Sequence, residues 1–195
     1  WEERQILKSN LNIQKGDFVF IFVGRIVGDK GINELITAFD QLSNEKKKVK
    51  LLLVGPLEEE LDPLKRPTKE IIKMNKQIIS VGFQKDVRPY FAISDVLVFP
   101  SYREGFPNVV LQAGAMNSPS IVSDINGCNE IIEENKNGFI IPVKDSDALY
   151  KAMIKVTKDT EMKKISRQMI TNRFEQKIVW EALLEEYKSL MSKYV

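Results

Sequence analysis

The sequence predicts an α/β fold: a Rossmann-like parallel sheet of about six strands, flanked by helices and followed by two further helices. Three observations lead to this prediction. Short apolar runs recur along the chain, helical patterns separate them, and each run ends in a glycine, a proline or an aspartate. Alternating strands and helices form parallel sheets with right-handed crossovers, because each helix returns the chain to the same end of the sheet.

Six apolar runs are the predicted strands. They are FVFIFVG (18–24), KLLLVG (50–55), IISVG (78–82), DVLVFP (95–100), SIVSD (120–124) and GFIIP (138–142). Most of them are continuously apolar, as expected for strands that are covered by helices on both faces. The chain has 195 residues, of which 43% are hydrophobic, so it is long enough to bury such a sheet within one domain.

The segments between the strands carry the apolar spacing of helices. Helices are predicted at 32–42, 86–94, 108–116 and 145–156. Residues 57–70 are polar and contain prolines, and we interpret them as an irregular connection inside one crossover. After the last strand, 161–174 and 176–195 are predicted helices, and the second carries an apolar stripe from Trp180 to Tyr194. These two helices must pack on the sheet or on a surface outside this chain.

The composition excludes several kinds of site. A net charge of +2, from 29 basic and 27 acidic residues, gives no sign of a nucleic-acid surface, so we expect no nucleic-acid partner. The chain has no histidine, which removes Ser-His-Asp catalysis and ordinary zinc hydrolysis. Its single cysteine, Cys128, has no histidine to activate it, and we interpret it as a small, partly buried residue rather than a nucleophile.

Membrane and targeting signals are weak. No apolar run approaches the ~20 residues needed to span a bilayer, and no signal peptide is visible. We therefore expect a cytoplasmic location, with peripheral association at the inner face of the cytoplasmic membrane as an alternative. We interpret the basic run of Lys46–Lys48 and Lys50 as a solvated helix end before a strand. The alternative is a surface patch that binds acidic lipid or a protein partner. Because the chain starts at Trp1 rather than Met, we interpret it as a piece of a longer protein.

The loop after the first strand is a candidate anion site. Ligands of open parallel sheets bind at the carboxyl ends of the strands, and this loop reads GRIVGDKG (24–31). Gly24 would let the backbone approach a ligand, while Arg25 and Lys30 place two cations beside a helix that begins near Gly31. The plainer alternative is a glycine turn with two exposed bases. The loop matches neither G-x-G-x-x-G nor the P-loop.

The loop after the fourth strand, SYREGFPNVV (101–110), leads into a helix. Gly105 and Pro107 sharpen the turn, and Asn108 is predicted to cap the helix. The N–H groups of Asn108, Val109 and Val110 would then be free and would point toward the strand ends.

Two polar residues flank that turn. Gln112 lies one helical turn beyond Asn108, on the same face. Glu104 lies near the positive end of the helix and has two interpretations. It either complements the helix dipole or accepts hydrogen bonds from sugar hydroxyls.

The motifs together resemble a known family. They are GRIVGDKGINELITAF, VGF at 81–83, SYREGFPNVVLQAGAM, SIVSDINGCNEII and NGFIIP. In this order and spacing they resemble the C-terminal half of the retaining, nucleotide-sugar-dependent glycosyltransferases with the two-domain GT-B architecture, the family-four type known as glycosyl transferases group 1. The resemblance extends from about Asp17 to Tyr194. It implies that residues 1–195 form the donor-binding domain, with helix 176–195 packing partly on an N-terminal acceptor domain.

The resemblance also implies residue roles. Arg25 and Lys30 would hold the donor diphosphate and Glu104 would contact the donor sugar, so these three are the expected catalytic residues. Gln112 stands where the family has a second Glu and would contact the ribose. The other expected donor-binding residues are Gly24, Gly82, Phe83, Gly105, Phe106, Asn108, Val109 and Val110, with Gly82 and Phe83 bordering the base. The chain also departs from many relatives at 117–118, where Asn-Ser replaces a small residue and Gly.

The implied reaction moves a hexose or N-acetylhexosamine from a nucleotide sugar, expected to be UDP-linked, to a growing glycan or lipid-linked saccharide. No cofactor and no metal are expected, because two cations and a helix N-terminus can stabilise the leaving diphosphate. The expected partners are the nucleotide-sugar donor and the N-terminal acceptor domain. Two alternatives are a non-catalytic nucleotide-binding regulatory module of the same fold and a flavodoxin-like or receiver-type domain. The latter would need acidic residues where this chain has GRIVGDK.

Overall fold

The computed structural model describes residues 2–58, 60, 62–159 and 161–192. This part of the chain forms one parallel sheet. Its strands are β1 (Phe18–Val23), β2 (Val49–Val54), β3 (Ile78–Gly82), β4 (Val96–Phe99), β5 (Ser120–Ser123) and β6 (Gly138–Ile141). The spatial order is β3-β2-β1-β4-β5-β6, so the direction of winding reverses between β1 and β4. All six strand predictions and the α/β fold class are confirmed.

Helices cover both faces of the sheet. Within the described residues they are α1 (Glu2–Asn10), α2 (Ile32–Glu45), α3 (Arg66–Met74), α4 (Arg88–Ala92), α5 (Asn108–Ala115), α6 (Cys128–Ile131), α7 (Ser146–Val156), α8 (Glu161–Phe174) and α9 (Gln176–Ser192). The interpretation of 57–70 as irregular is wrong over its last five residues, which begin α3. Pro67 lies in the first turn of that helix, where its missing N–H breaks no hydrogen bond.

The core lies between the sheet and the helices that the apolar spacing predicted. The middle residues of β1 and the last four of β2 are fully or almost fully buried. Leu35, Ile36, Phe39 and Leu42 form the buried face of α2, as predicted. In the edge strand β3 only Ile78 is buried, and the following residues alternate between half-buried and exposed. Because β1 pairs in parallel with both β2 and β4, the carboxyl ends of these three strands lie side by side at one end of the sheet.

The two last helices behave differently. Helix α8 packs against α5 and buries Ile170, and the guanidinium of Arg173 donates hydrogen bonds to the carbonyls of Glu130 and Ile131. Helix α9 has no buried residue, and Trp180 is 61% exposed. The predicted apolar stripe therefore lies on the surface, and its last member, Tyr194, lies outside the described residues, as do Trp1, Lys193 and Val195. No described helix is long and apolar enough to cross a bilayer.

Candidate functional site

Two loops meet where the strand order reverses. The β1 loop (24–31) follows β1, and the β4 loop (100–107) follows β4, which is hydrogen-bonded to β1. The backbone N–H of Tyr102 donates to the carbonyl of Asp29 at 2.9 Å, which joins the two loops directly. Ligands of doubly wound sheets bind at this kind of position, because the loops on either side diverge and leave a crevice.

An ion pair connects the two loops at their centre. Nζ of Lys30 lies 2.6 Å from Oε1 of Glu104, and their side chains are only 16% and 18% exposed. The hydroxyl of Ser101 donates to the same carboxylate oxygen at 2.8 Å. The structure therefore brings together two predicted site residues and adds Ser101, which the sequence reasoning missed. Its signal was its position, a small polar residue directly after a buried strand at the carboxyl edge of the sheet.

Cys128 lies behind this ion pair and is fully buried, rather than partly buried as expected. The pKa of its thiol is raised to about 12, mainly by burial and in addition by the negative charge of Glu104, while the positive charge of Lys30 opposes the shift. The thiol therefore stays protonated at neutral pH and acts as a small core residue, which agrees with the expectation that it is no nucleophile.

Arg25 lies on the other side of the β1 loop. Its Nη1 is 3.2 Å from Oε2 of Glu58. Arg25 lines a cavity of about 390 Å³ together with Gly24, Glu58 and Phe83. The ring of Phe83 is exposed, as expected for a residue at the mouth of a pocket. Gly82 does not line this cavity but a neighbouring one of about 200 Å³.

Both cations of the β1 loop form ion pairs in the structure. Each cation has a carboxylate partner, Glu58 for Arg25 and Glu104 for Lys30. An anionic ligand must therefore exchange with these carboxylates or share the cations with them. Sequence spacing could not show this, because both partners are distant along the chain.

The start of α5 also differs from its prediction. Asn108 is the first residue of the helix rather than its cap, Pro107 holds the capping position, and no side chain caps the helix. The N–H of Val110 donates to the carbonyl of Pro107 at 3.0 Å, so it is not free, and the Val110 side chain is fully buried. Within the described part of the chain, the N–H groups of Asn108 and Val109 have no hydrogen-bond partner and remain available to a ligand.

Two glycines near the β4 loop have different roles. A Cβ at Gly127 would lie 2.2 Å from the carbonyl oxygen of Gly105, and the φ of Gly127 is 78°, so this glycine is required for packing. A Cβ at Gly105 would meet no atom within 4 Å, and its φ is not positive. The fold therefore does not require a glycine at 105. The next residue, Phe106, is half-exposed, and its ring centroid lies 5.7 Å from that of Phe174 at the end of α8.

Gln112 lies outside the ion pair of Lys30 and Glu104. Its exposed side chain lines a groove of about 640 Å³ between α4 and α5, together with Lys85, Val87 and Arg88. Val87 also lines the 390 Å³ cavity, so the groove and the cavity adjoin. Gln112 makes no hydrogen bond to Glu104 or Lys30. The predicted site thus divides into three neighbouring parts: the ion pair, the cavity beside Arg25 and the groove beside Gln112. Among the described residues, no group of three or more Cys, Asp and Glu side chains could hold a metal ion.

Comparisons with known proteins agree on one family. A family model described as glycosyl transferases group 1 matches residues 3–176. The chain is 30% identical over 181 residues to the capsular polysaccharide biosynthesis glycosyltransferase CapM of Staphylococcus aureus, covering 91% of this chain and 47% of that protein. It is 31% identical over 169 residues to the Escherichia coli UDP-Gal:alpha-D-GlcNAc-diphosphoundecaprenol alpha-1,3-galactosyltransferase, covering 84% and 43%. The chain thus spans about half the length of these relatives.

A solved structure supports the fold. The Anabaena protein HepE, crystallised in complex with UDP, superposes with a TM-score of 0.82 at 21% identity. The match covers 96% of this chain and 53% of HepE. At this identity the likeness is one of fold.

Proposed function

Because this chain belongs to the glycosyl transferases group 1 family, we propose that it is the donor-binding half of a retaining glycosyltransferase. The enzyme transfers a hexose or N-acetylhexosamine from a UDP-linked sugar to a growing glycan or lipid-linked saccharide. Two findings support the choice of donor and acceptor class. The E. coli relative is named for a UDP-Gal donor and a diphosphoundecaprenol-linked acceptor, and HepE was crystallised with UDP.

The observation that carries the proposal is the Lys30–Glu104 pair at the sheet's reversal point. A cation and a carboxylate, both largely shielded from solvent and 2.6 Å apart, lie at the carboxyl ends of the strands, where ligands of this fold bind. We assign Lys30 and Arg25 to the donor diphosphate and Glu104 to the hydroxyls of the donor sugar. The unpaired N–H groups of Asn108 and Val109 add positive potential at the start of α5.

This arrangement suits the chemistry of sugar transfer. Breaking the bond between the sugar and the diphosphate builds negative charge on the leaving group, and fixed cations and N–H groups stabilise that charge. We propose that the reaction needs no metal, since Arg25, Lys30 and the start of α5 can do this work. Position 112 is an amide, so the chain lacks the paired carboxylates of a glycosidase.

The remaining parts of the site are assigned to the nucleoside. Phe83 borders the base at the mouth of the cavity beside Arg25, with Gly24 and Gly82 at the strand ends around it. Gln112 contacts the ribose from the adjoining groove. Gly105 lets the β4 loop approach the donor closely, which gives a reason for a glycine that the fold itself does not need.

The second half of the active site is proposed to come from an N-terminal acceptor domain. The chain spans about half the length of the curated relatives it matches. Helix α9 presents an apolar face with no buried residue, and we propose that this face packs on the acceptor domain. The full-length enzyme would act in the cytoplasm, at the inner face of the membrane that holds a lipid-linked acceptor.

The test is a calorimetric titration of this chain with UDP, comparing two lysine variants. Lys30→Ala removes the proposed phosphate contact. Lys163→Ala removes a lysine that also forms an ion pair. Its partner is Asp95, which directly precedes β4, so this pair lies at the amino ends of the strands, away from the candidate site. We expect Lys30→Ala to weaken UDP binding by about tenfold to a hundredfold, since a charge-assisted bond to phosphate contributes ~1.5–3 kcal/mol. Lys163→Ala should leave UDP binding unchanged.

Uridine separates the diphosphate from the nucleoside. Its affinity should be nearly the same for the unmodified chain and for Lys30→Ala, because uridine has no phosphate. If the unmodified chain binds neither UDP nor any UDP-sugar, the proposed function is wrong. If it binds UDP and UDP-sugars equally well, the alternative of a nucleotide-binding regulatory module is favoured.

A further inference from the structure

Ser101 lies at the junction of the β1 loop and the β4 loop. Its side chain is fully buried, and its hydroxyl lies within hydrogen-bond distance of three acceptors. These are Oε1 of Glu104 at 2.8 Å, the carbonyl of Arg103 at 3.2 Å and the carbonyl of Asp29 at 3.5 Å.

A serine hydroxyl has one proton and can make only one strong donated bond. The Glu104 oxygen is the nearest acceptor, and it is the one that carries charge, so the proton goes there. The same oxygen also accepts the bond from Lys30. In the described part of the chain, the other carboxylate oxygen, Oε2, accepts no hydrogen bond. Glu104 is therefore held through one oxygen, and the other is left for a ligand.

The two bonds to Oε1 respond differently to a bound diphosphate. The ammonium of Lys30 is a compact charge on a flexible four-carbon stem, so it can turn from the carboxylate to the phosphate oxygens of a ligand. Ser101 is separated from β4 by Pro100 alone and is fully buried, so its hydroxyl cannot follow a ligand. When Lys30 turns to the diphosphate, Ser101 is the remaining fixed contact of the carboxylate.

We propose that Ser101 is a positioning residue of the donor site, whose buried hydroxyl holds the Glu104 carboxylate in place while Lys30 passes from Glu104 to the donor diphosphate. This proposal rests on the proposed function, since it names the residue that orients the sugar-binding carboxylate. Ser101 acts only through Glu104 and touches no part of the donor. Its removal therefore affects recognition of the sugar and spares recognition of UDP.

The experiment measures dissociation constants for UDP and for the tightest binder among UDP-glucose, UDP-galactose and UDP-N-acetylglucosamine. Ser101→Ala should weaken the UDP-sugar about tenfold and change UDP binding by less than about twofold. In a Glu104→Ala background, adding Ser101→Ala should change neither constant by more than about twofold, because the group that Ser101 positions is gone. A merely structural serine would weaken both ligands alike and would act in both backgrounds.

Ser120→Ala is the matched control. Ser120 is also a buried serine, and it is the first residue of β5, at the amino ends of the strands. Its hydroxyl has no hydrogen-bond partner in the described residues. Ser120→Ala should leave both constants unchanged. If Ser101→Ala weakens UDP and UDP-sugar equally, or acts fully without Glu104, the positioning role is overturned while the proposed function stands. If the unmodified chain binds no UDP-sugar, both proposals are overturned together.

Discussion

Glu104 and Lys30 form an ion pair in the structure, so a donor diphosphate that binds Lys30 as proposed has to compete with Glu104 for the lysine. This competition predicts that Glu104→Gln strengthens UDP binding by about tenfold, or ~1.4 kcal/mol. The amide removes a negative charge beside the diphosphate and can still accept the hydrogen bond from Ser101. The same variant should weaken binding of a UDP-sugar relative to UDP, because an amide accepts hydroxyl bonds less strongly than a carboxylate does.

Isothermal titration with UDP checks this prediction, and Glu161→Gln controls for the change in net charge. Glu161 pairs with Lys164 on the surface of α8. Glu161→Gln should leave the UDP dissociation constant unchanged. A weaker or unaltered UDP affinity for Glu104→Gln would show that Lys30 does not need to leave Glu104 when phosphate binds.

Cys128 provides a second test at the residue scale. Because its pKa is raised to about 12, on the order of one thiol in 10⁴ is ionised at pH 8, and the group is also shielded from reagents. We expect no reaction with a disulfide reagent under native conditions and one equivalent in denaturant. Rapid native labelling would mean that the packing of α6 behind the ion pair opens readily.

At the scale of elements, α2 and α9 both carry apolar stripes, but only α2 has its stripe buried. Leu35 is 0% exposed in α2 and Leu184 is 54% exposed in α9. Leu35→Ala should therefore lower the free energy of unfolding by ~2–5 kcal/mol, whereas Leu184→Ala should change it by less than ~0.5 kcal/mol. Denaturant unfolding of both variants at low protein concentration measures the difference. A large loss from Leu184→Ala, growing with protein concentration, would instead show that α9 covers its face by self-association.

At the scale of the whole molecule, the proposal assigns donor binding to this chain and acceptor binding to another domain. It therefore predicts that this chain binds the donor but transfers no sugar. This chain should bind a UDP-sugar. At a ligand concentration 100 times the dissociation constant, binding should raise the free energy of unfolding by ~2.7 kcal/mol. It should transfer no sugar to a glycan or lipid-linked acceptor, because the acceptor-binding half is proposed to lie elsewhere in the full-length protein. A radiolabelled donor assay measures transfer, and slow donor hydrolysis is compatible with the prediction. Efficient transfer by this chain would contradict it.

The sheet could be predicted strand by strand because its signals are local. Continuous apolar runs such as that of β1 end in turn residues, and each run can be recognised without knowledge of its neighbours. The helical connection after β2 was missed in part because Pro67 was taken as a breaker, although a proline in the first turn is compatible with a helix. The side-chain contacts within the candidate site could not be predicted in this way, because they depend on which strands are neighbours in the sheet.

The sequence by itself determined the α/β fold, the six strands, the family resemblance and the two loops of the candidate site, since all of these depend on residue order and spacing. Only the tertiary structure decided which side chains of those loops contact one another. Lys30 and Glu104 are 74 positions apart and meet because β1 lies beside β4. The hydroxyl of Ser101 donates to Glu104 of that pair, and Arg25 pairs with Glu58, which follows β2. Contacts between distant segments follow from strand order and packing, which no local pattern in the sequence specifies.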